Sequence, residues 1–97
     1  MLMQVLGHMA KVELEVRTLD ELREALSVDV DVIMLDNMDN DTMREAVKIA
    51  DGKALLEASG GITEETIRDV AETGVDIISI GALTHSVKAF DISLKII

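Results

Sequence analysis

The sequence predicts an α/β fold in which short parallel strands alternate with helices. Two observations carry this prediction: four apolar segments rich in Val, Ile and Leu recur along the chain, and a helix signal follows each of the first three. Strands that are apolar throughout are typical of parallel sheets covered by helices. The 97 residues suffice for one small domain. We predict strands over residues 12–16, 30–36, 54–58 and 75–80.

The first two helices have recognisable starts. Thr18 and Glu21 form a capping-box pattern ahead of an apolar stripe. Asp41 is expected to cap the second helix, which should end near Gly52. Both helices would directly follow a predicted strand, which is the order that a parallel sheet requires.

The third helix and the tail follow the same logic. Thr63 is expected to cap the third helix, and Gly74 to end it. After the fourth strand we predict a short helix or loop over residues 86–90. Alternating Ile and Leu residues then predict a last strand over residues 91–97.

Residues 1–10 differ from the rest of the chain. They carry no Asp, Glu, Lys or Arg, and Gly7-His8-Met9 resembles the remnant of a cloning site. We interpret this segment as a leader added to an engineered fragment, or as an added edge strand. Residues 11–97 would then form the domain itself.

The composition excludes several classes of function. A formal net charge of −10 argues against nucleic acid and against an anionic membrane surface as partners. There is no cysteine, so disulfides and thiolate chemistry are excluded. No apolar run approaches the roughly 20 residues that span a bilayer. A cytoplasmic location is the expectation that fits these features.

Three acidic residues recur at a constant spacing. Glu15, Asp36 and Glu57 are each 21 residues apart, and each lies at or near the end of a predicted strand. The ends of parallel strands meet at one edge of the sheet, where α/β proteins build their sites. Single acids there often only cap helices or face solvent. Glu13 shares a face with Glu15 and could be the inward residue instead.

Converging carboxylates without a histidine favour Mg²⁺ or ribose hydroxyls as ligands. Ser59-Gly60-Gly61 precedes a predicted helix start, where backbone N–H groups favour an anion such as phosphate. The loop Gly81-Ala82-Leu83-Thr84, after the next strand, would lie beside it. A plain strand-to-helix turn is the alternative interpretation of the glycines.

Four segments carry a family resemblance. KVELEVRTLDEL, VIMLDNM, LLEASGGIT and ETGVDIISIGALTHSVKAFDISL, in this order, resemble the C-terminal part of quinolinate phosphoribosyltransferase, also called carboxylating nicotinate-nucleotide pyrophosphorylase. The resemblance covers residues 11–97, and EASGGIT followed by GALTHS is its most specific part. It implies about half of a TIM-like barrel. It also implies an enzyme of NAD synthesis that joins quinolinate to phosphoribosyl pyrophosphate, releasing pyrophosphate and carbon dioxide to form nicotinate mononucleotide.

The resemblance also implies a set of site residues. It assigns ribose hydroxyls and Mg²⁺ to two catalytic carboxylates, with a third acid and a histidine nearby on the substrate side and a phosphate held by two loops. In this sequence the carboxylates are Glu15 and Asp36, the nearby residues are Glu57 and His85, and the phosphate-binding residues are Ser59, Gly60, Gly61, Gly81 and Ala82.

The chain departs from the family in what it lacks. The family's N-terminal domain and earlier barrel strands supply basic residues that grip the anionic substrates, whereas only Arg17 directly follows a predicted strand here. We therefore expect the isolated chain to be inactive while still able to bind phosphoribosyl pyrophosphate or phosphate.

A half barrel would expose two sheet edges. It would close as a homo-oligomer, or rearrange into a flavodoxin-like open sheet. A self-associating scaffold without ligand or activity is the alternative function. A receiver-like signalling domain is disfavoured because Glu13 and Glu15 alternate, whereas a receiver needs adjacent acids.

Overall fold

The computed structural model describes the backbone of residues 2–6, 11–80 and 83–86 and the side chains of residues 12–80. These residues form one six-stranded sheet whose strand order follows the chain order. The strands are β1 (Leu2–Leu6), β2 (Lys11–Val16), β3 (Val32–Asp36), β4 (Leu55–Ser59), β5 (Ile77–Ile80) and β6 (Leu83–Ser86), and the helices are α1 (Leu19–Ala25), α2 (Asn40–Ala50) and α3 (Ile67–Ala71).

The four inner strands are parallel and the two outer strands are antiparallel to their neighbours. β2, β3, β4 and β5 pair in that order, and one helix connects each strand to the next. β1 pairs with β2, and β6 pairs with β5, in the antiparallel direction. The predicted fold of parallel strand–helix repeats is therefore confirmed, with strand starts shifted by one or two residues.

All three helices pack on one face of the sheet. The buried side chains of that face form a single core with the buried helix residues. The strands contribute Leu14, Val16, Ile33, Leu35, Leu56, Ala58 and Ile78, and the helices contribute Leu22, Ala25, Met43, Ala46, Ala50, Ile67 and Val70. One-sided covering is the arrangement of a barrel segment. A flavodoxin-like sandwich would need a helix on the opposite face, and the described elements place none there.

Two aspartates fix the stagger of the strands at the amino edge of the sheet, where the strands begin. An Asp31 carboxylate oxygen accepts the Val12 N–H at 2.8 Å, and the Asp31 N–H donates to the Val12 carbonyl at 3.0 Å. Asp76 repeats both contacts with Leu56, at 2.9 Å each. Each aspartate thus pairs with backbone N–H and C=O groups near the start of the preceding strand.

The first helix start is as predicted, and the second is not. The Thr18 hydroxyl accepts the Glu21 N–H at 3.1 Å and caps α1. For α2 the cap is Asp39, whose carboxylate accepts the Thr42 N–H at 2.7 Å. Asp41, predicted as the cap, lies inside the first turn, so that prediction is wrong by two residues.

The third helix starts later than predicted. Its first residue is Ile67, and the Thr63 N–H donates to the Thr66 hydroxyl at 3.0 Å in the turn ahead of it. Thr63 is therefore not the cap, because residues 64–66 form a turn of their own. Gly74 closes the following turn with a φ of +99°, as expected of a residue that ends a helix.

The chain ends are partly described. Leu2–Leu6 is an edge strand, while residues 7–10 lie outside the described residues. Leu83–Ser86 is a strand, so the loop predicted to include Leu83 and Thr84 is wrong at those two positions. The helix or loop predicted over residues 86–90 is wrong at Ser86, which belongs to β6, and the remainder of it lies outside the described residues, as does the strand predicted over residues 91–97. No helix in the described ranges is long and apolar enough to cross a membrane.

Candidate functional site

The face of the sheet opposite the three described helices, called the helix-free face below, holds a row of polar side chains. In the strand register Glu15 lies beside Met34, and Met34 lies beside Glu57. Glu15 and Glu57 therefore occupy one level of the sheet, two strand spacings or about 9.5 Å apart. Ser79 on β5 faces the same side and donates its hydroxyl hydrogen to a Glu57 carboxylate oxygen.

Asp36 lies one level closer to the carboxyl edge, where the parallel strands end. Its register partner is Ser59. The sequence spacing thus aligns three acids, but the structure aligns only Glu15 and Glu57. Asp36 instead pairs with Arg17, whose guanidinium Nε lies 3.6 Å from an Asp36 carboxylate oxygen.

Glu13 is the most perturbed titratable group of this face. It is 6% exposed, and its Oε1 atom has no hydrogen-bond partner. The pKa of the Glu13 carboxyl is raised from 4.5 to about 7. Burial is the largest cause, followed by the hydrogen bond with Glu57 and by the negative charges of Glu57 and Glu15. The structure places both Glu13 and Glu15 on the same face, as the alternation along the strand predicts.

The glycine loop after β4 packs directly on the loop after β3. Gly60 and Gly61 have φ angles of +91° and +68°, which residues with a side chain rarely adopt. A Cβ at Gly60 would lie 3.1 Å from the Asn37 nitrogen. Asn37 itself has a φ of +56° and donates its N–H to the Ser59 carbonyl at 2.8 Å. Backbone geometry therefore holds the two loops together at the carboxyl edge.

Asn37 and Ser79 belong to this arrangement and were not singled out from the sequence. A signal for Asn37 was available, because asparagine is among the non-glycine residues that best tolerate a left-handed backbone. Ser79 could have been found from strand alternation, since it lies two residues from Ile77, the register partner of Glu57.

A cleft opens beside the glycine loop on the helix side of the sheet. Its volume is about 410 Å³. It lies between the two loops and the facing sides of α2 and α3. The residues that line it are Asn37, Met38, Asp39, Asn40, Met43, Gly60, Gly61, Ile62, Thr66, Asp69 and Val70. The cleft gives a ligand at the glycine loop room to extend away from the sheet.

The expected metal site is not a preformed cage. Across residues 12–80 no three Asp, Glu, His or Cys side chains come close enough together to hold a metal ion. Two carboxylates on neighbouring strands, Glu15 and Asp36, remain as donors of the type that Mg²⁺ prefers. Mg²⁺ is commonly held by one or two carboxylates together with water and substrate phosphates, so this donor set fits an ion that arrives with a phosphorylated ligand.

The remaining predicted site residues are only partly placed. Gly81 and Ala82 lie outside the described residues. His85 belongs to β6, where its backbone pairs with Ile78. Its side chain is not among those that the structure describes. The structure thus places Asp36 next to the Ser59–Gly61 loop, with Glu15 and Glu57 one level further from the carboxyl edge, and it leaves the second phosphate loop as an expectation.

A comparison with models of protein families identifies the family of the chain. The model described as "Quinolinate phosphoribosyl transferase, C-terminal domain" matches residues 1–95. The chain belongs to this family. The resemblance inferred from the four sequence segments is thereby confirmed, and the match includes the leading residues 1–10.

Relatives in the quinolinate phosphoribosyl transferase family are considerably longer than the chain. A probable nicotinate-nucleotide pyrophosphorylase (carboxylating) of Bacillus subtilis is 47% identical over 93 residues, covering 96% of this chain and 32% of its own length. One from Methanocaldococcus jannaschii is 50% identical over 94 residues, covering 90% of this chain and 33% of its own. The chain thus spans about a third of the length of these relatives.

Solved structures from the family share the fold. The nicotinate-nucleotide pyrophosphorylase of Francisella tularensis superimposes with a TM-score of 0.69 at 48% identity, covering 72% of this chain and 25% of that one. The enzyme of the same name from Ehrlichia chaffeensis gives a TM-score of 0.68 at 43% identity, covering 71% of this chain and 25% of its own.

Proposed function

We propose that this chain supplies the ribose- and phosphate-binding part of a quinolinate phosphoribosyltransferase. That enzyme type joins quinolinate to phosphoribosyl pyrophosphate and forms nicotinate mononucleotide, pyrophosphate and carbon dioxide for NAD synthesis. The observation that carries the proposal is the Ser59–Gly61 loop, held open by two positive φ angles directly beside the Asp36 carboxylate. Family membership and the names of the relatives support it.

Each group has a role in this proposal. Backbone N–H groups of Gly60 and Gly61, with the Ser59 hydroxyl, bind the phosphate on the ribose, because a glycine backbone lets an anion approach closely. The Asp36 and Glu15 carboxylates accept hydrogen bonds from ribose hydroxyls. Glu57, which accepts a hydrogen bond from Ser79, faces the substrate side of the sheet.

Three further residues complete the proposed site. Gly81 and Ala82 would supply the neighbouring phosphate loop, and His85 would lie beside it. Mg²⁺ would be held by Glu15 and Asp36, and when bound it would neutralise charge on the pyrophosphate leaving group.

A soluble compartment is proposed for the protein, the cytoplasm being the first candidate, although tobacco and Arabidopsis relatives are named mitochondrial and chloroplastic.

We further propose that the 97-residue chain does not turn over substrate by itself. Quinolinate and phosphoribosyl pyrophosphate are both strongly anionic. Among the side chains of residues 12–80, Arg17 is the only Lys or Arg that directly follows a strand, and the formal net charge is −10. Electrostatic repulsion would therefore oppose the joint binding of both substrates.

An amide NMR titration tests the binding part of the proposal. The ¹⁵N-labelled chain is titrated with phosphoribosyl pyrophosphate, with and without Mg²⁺. Saturable shifts at Ser59, Gly60, Gly61 and Asp36 are expected, and Mg²⁺ should tighten the binding. A well-dispersed spectrum that does not respond would contradict the proposal.

A pair of glycine variants makes the test specific. Gly61→Ala places a methyl group in the loop without a close clash, since the nearest atom would lie 3.6 Å away. Gly52→Ala is the matched control, because Gly52 has a similar φ of +76° and lies in the turn before β4, at the opposite edge of the sheet. Only Gly61→Ala should weaken ligand binding, although both variants strain the backbone.

A self-associating scaffold is the second candidate function. The observation that favours it is the apolar part of the helix-free face, where Leu55 is 43% exposed and Met34 and Ile77 are half-buried. Sedimentation velocity measures the oligomeric state. If this face joins copies of the chain, Leu55→Lys should release monomers, whereas Val28→Lys, at a 56% exposed position in the loop before β3, should not.

A further inference from the structure

Arg17 occupies an unusual position at the carboxyl edge. It directly follows β2, and its backbone N–H donates to a Glu21 carboxylate oxygen at 2.7 Å, which anchors the main chain. Its side chain is 76% exposed and reaches across to Asp36, with 3.6 Å between the guanidinium Nε and the carboxylate oxygen. An exposed ion pair of this length is weak, so the guanidinium can leave Asp36 at little cost.

Three other basic side chains of the described residues are arranged differently. Arg23, Arg44 and Lys48 each pair with an acid three residues earlier on their own helix. These pairs keep their charges on the helix surfaces. Arg17 is the described cation whose partner is itself a proposed ligand-binding residue, because Asp36 is expected to bind ribose or Mg²⁺.

Asp36, the ion-pair partner of Arg17, lies close to the phosphate loop. Asp36 and Ser59 are direct register partners on neighbouring strands. The Asp36 backbone therefore lies about one strand spacing, roughly 5 Å, from the start of the Ser59–Gly61 loop, and the Arg17 guanidinium contacts the Asp36 side chain from the other neighbouring strand. A planar guanidinium can donate two parallel hydrogen bonds to a phosphate group.

We propose that Arg17 is an anion-binding residue of this site, exchanging the Asp36 carboxylate for the phosphate or pyrophosphate oxygens of the ligand. The inference rests on the proposed function and adds a residue to it. In the free protein Arg17 neutralises Asp36. When Asp36 engages ribose hydroxyls or a cation, the guanidinium turns to the phosphate, so occupation of Asp36 and binding of the anion favour each other.

Inorganic phosphate is the probe, with the Gly60 and Gly61 amides as the readout. Arg17→Gln should weaken phosphate binding by roughly tenfold, the scale of one charge-assisted hydrogen bond partly screened by solvent. Arg17→Lys should give an intermediate loss, because it keeps the charge but not the paired donors. Arg23→Gln removes the same charge from a comparable exposed pair with Asp20, at 3.1 Å, and should change the affinity by less than about twofold.

If Arg17 exchanges Asp36 for phosphate, the effects of substitutions at these two positions on phosphate affinity should not be additive. Asp36→Asn should tighten phosphate binding in the presence of Arg17, because it frees the guanidinium and removes a negative charge. In the Arg17→Gln background the same change should have a smaller effect, and the difference measures the coupling. If the ion pair were purely structural, Asp36→Asn would change the affinity by the same factor in both backgrounds.

Two outcomes would overturn the inference, and they differ for the proposed function. If wild type binds phosphate at Gly60 and Gly61, but Arg17→Gln and Arg23→Gln bind equally well, Arg17 is not a ligand residue and the proposed function stands. If the wild-type loop amides do not respond to phosphate or to phosphoribosyl pyrophosphate, both proposals fail.

Discussion

Replacing Glu13 with glutamine should stabilise the protein at neutral pH. Glu13 is buried, its Oε1 has no partner, and Glu57 and Glu15 add negative charge beside it. At pH 7 and above, the folded protein must carry this carboxylate in ionised form at a cost in free energy. Glutamine has nearly the same shape and no charge, so Glu13→Gln removes the cost.

The size and sign follow from proton linkage. The pKa of Glu13 is about 7 in the folded protein and 4.5 as its ordinary value, and this difference corresponds to about 3 kcal/mol of unfolding free energy. Below the unfolded pKa both states are protonated and the full stability is present. Between the two values only the folded state holds the proton, so stability falls as pH rises. Above the folded pKa the whole penalty applies.

Urea unfolding followed by far-UV circular dichroism measures this effect. Fluorescence is unsuitable, because the chain has no Trp or Tyr and only one Phe. Wild type and Glu13→Gln should have similar unfolding free energies near pH 4.5, and the variant should gain about 2–3 kcal/mol by pH 8. Glu24→Gln, the same chemical change at an exposed position on α1, controls for the loss of one carboxylate.

Two results would refute the reasoning. If Glu13→Gln is less stable than wild type at pH 8, the carboxylate makes a favourable contact that the geometry does not show. If the two proteins lose stability in parallel between pH 5 and 7, another group holds the proton. In that case Glu57→Gln is the next variant, since the Glu57 carboxyl is the neighbouring group that hydrogen-bonds to Glu13.

Three further substitutions test the loops and caps. Gly60→Ala should lower the urea midpoint more than Gly52→Ala, because only at Gly60 would the added methyl lie 3.1 Å from a backbone nitrogen; equal losses would argue against the close packing of the two loops. Asp39→Ala should speed amide exchange in the first turn of α2, because Asp39 accepts a backbone N–H there; a larger effect from Asp41→Ala would favour the cap predicted from sequence. Asp76→Ala should cost about 1–2 kcal/mol in urea unfolding, because the Leu56 N–H loses its carboxylate acceptor; unchanged stability would show that water replaces it.

The strand–helix repeat could be predicted because several local signals agree. Apolar strands, Thr18 as a cap and Gly74 as a stop all point to the same elements, and the structure contains them. The cap of α2 could not be fixed, because residues 36–41 read Asp-Asn-Met-Asp-Asn-Asp and five of the six can cap a helix. Where β3 ends decides among them, and that depends on its pairing with β4, not on local preference.

The acids show why equal spacing in sequence is a weak guide to level in a sheet. Glu15 is 19 residues from its register neighbour Met34, and Met34 is 23 residues from Glu57. The first separation is two residues shorter than the spacing of 21 and the second is two residues longer, so Glu15 and Glu57 lie at the same level of the sheet. Asp36, halfway between them in sequence, lies at a different level. That offset places Asp36 next to Ser59 and within reach of Arg17. It also separates two environments: the buried Glu13 carboxyl beside the half-buried Glu57 in the middle of the face, and the half-buried, ion-paired Asp36 carboxylate at the edge, next to the proposed phosphate loop.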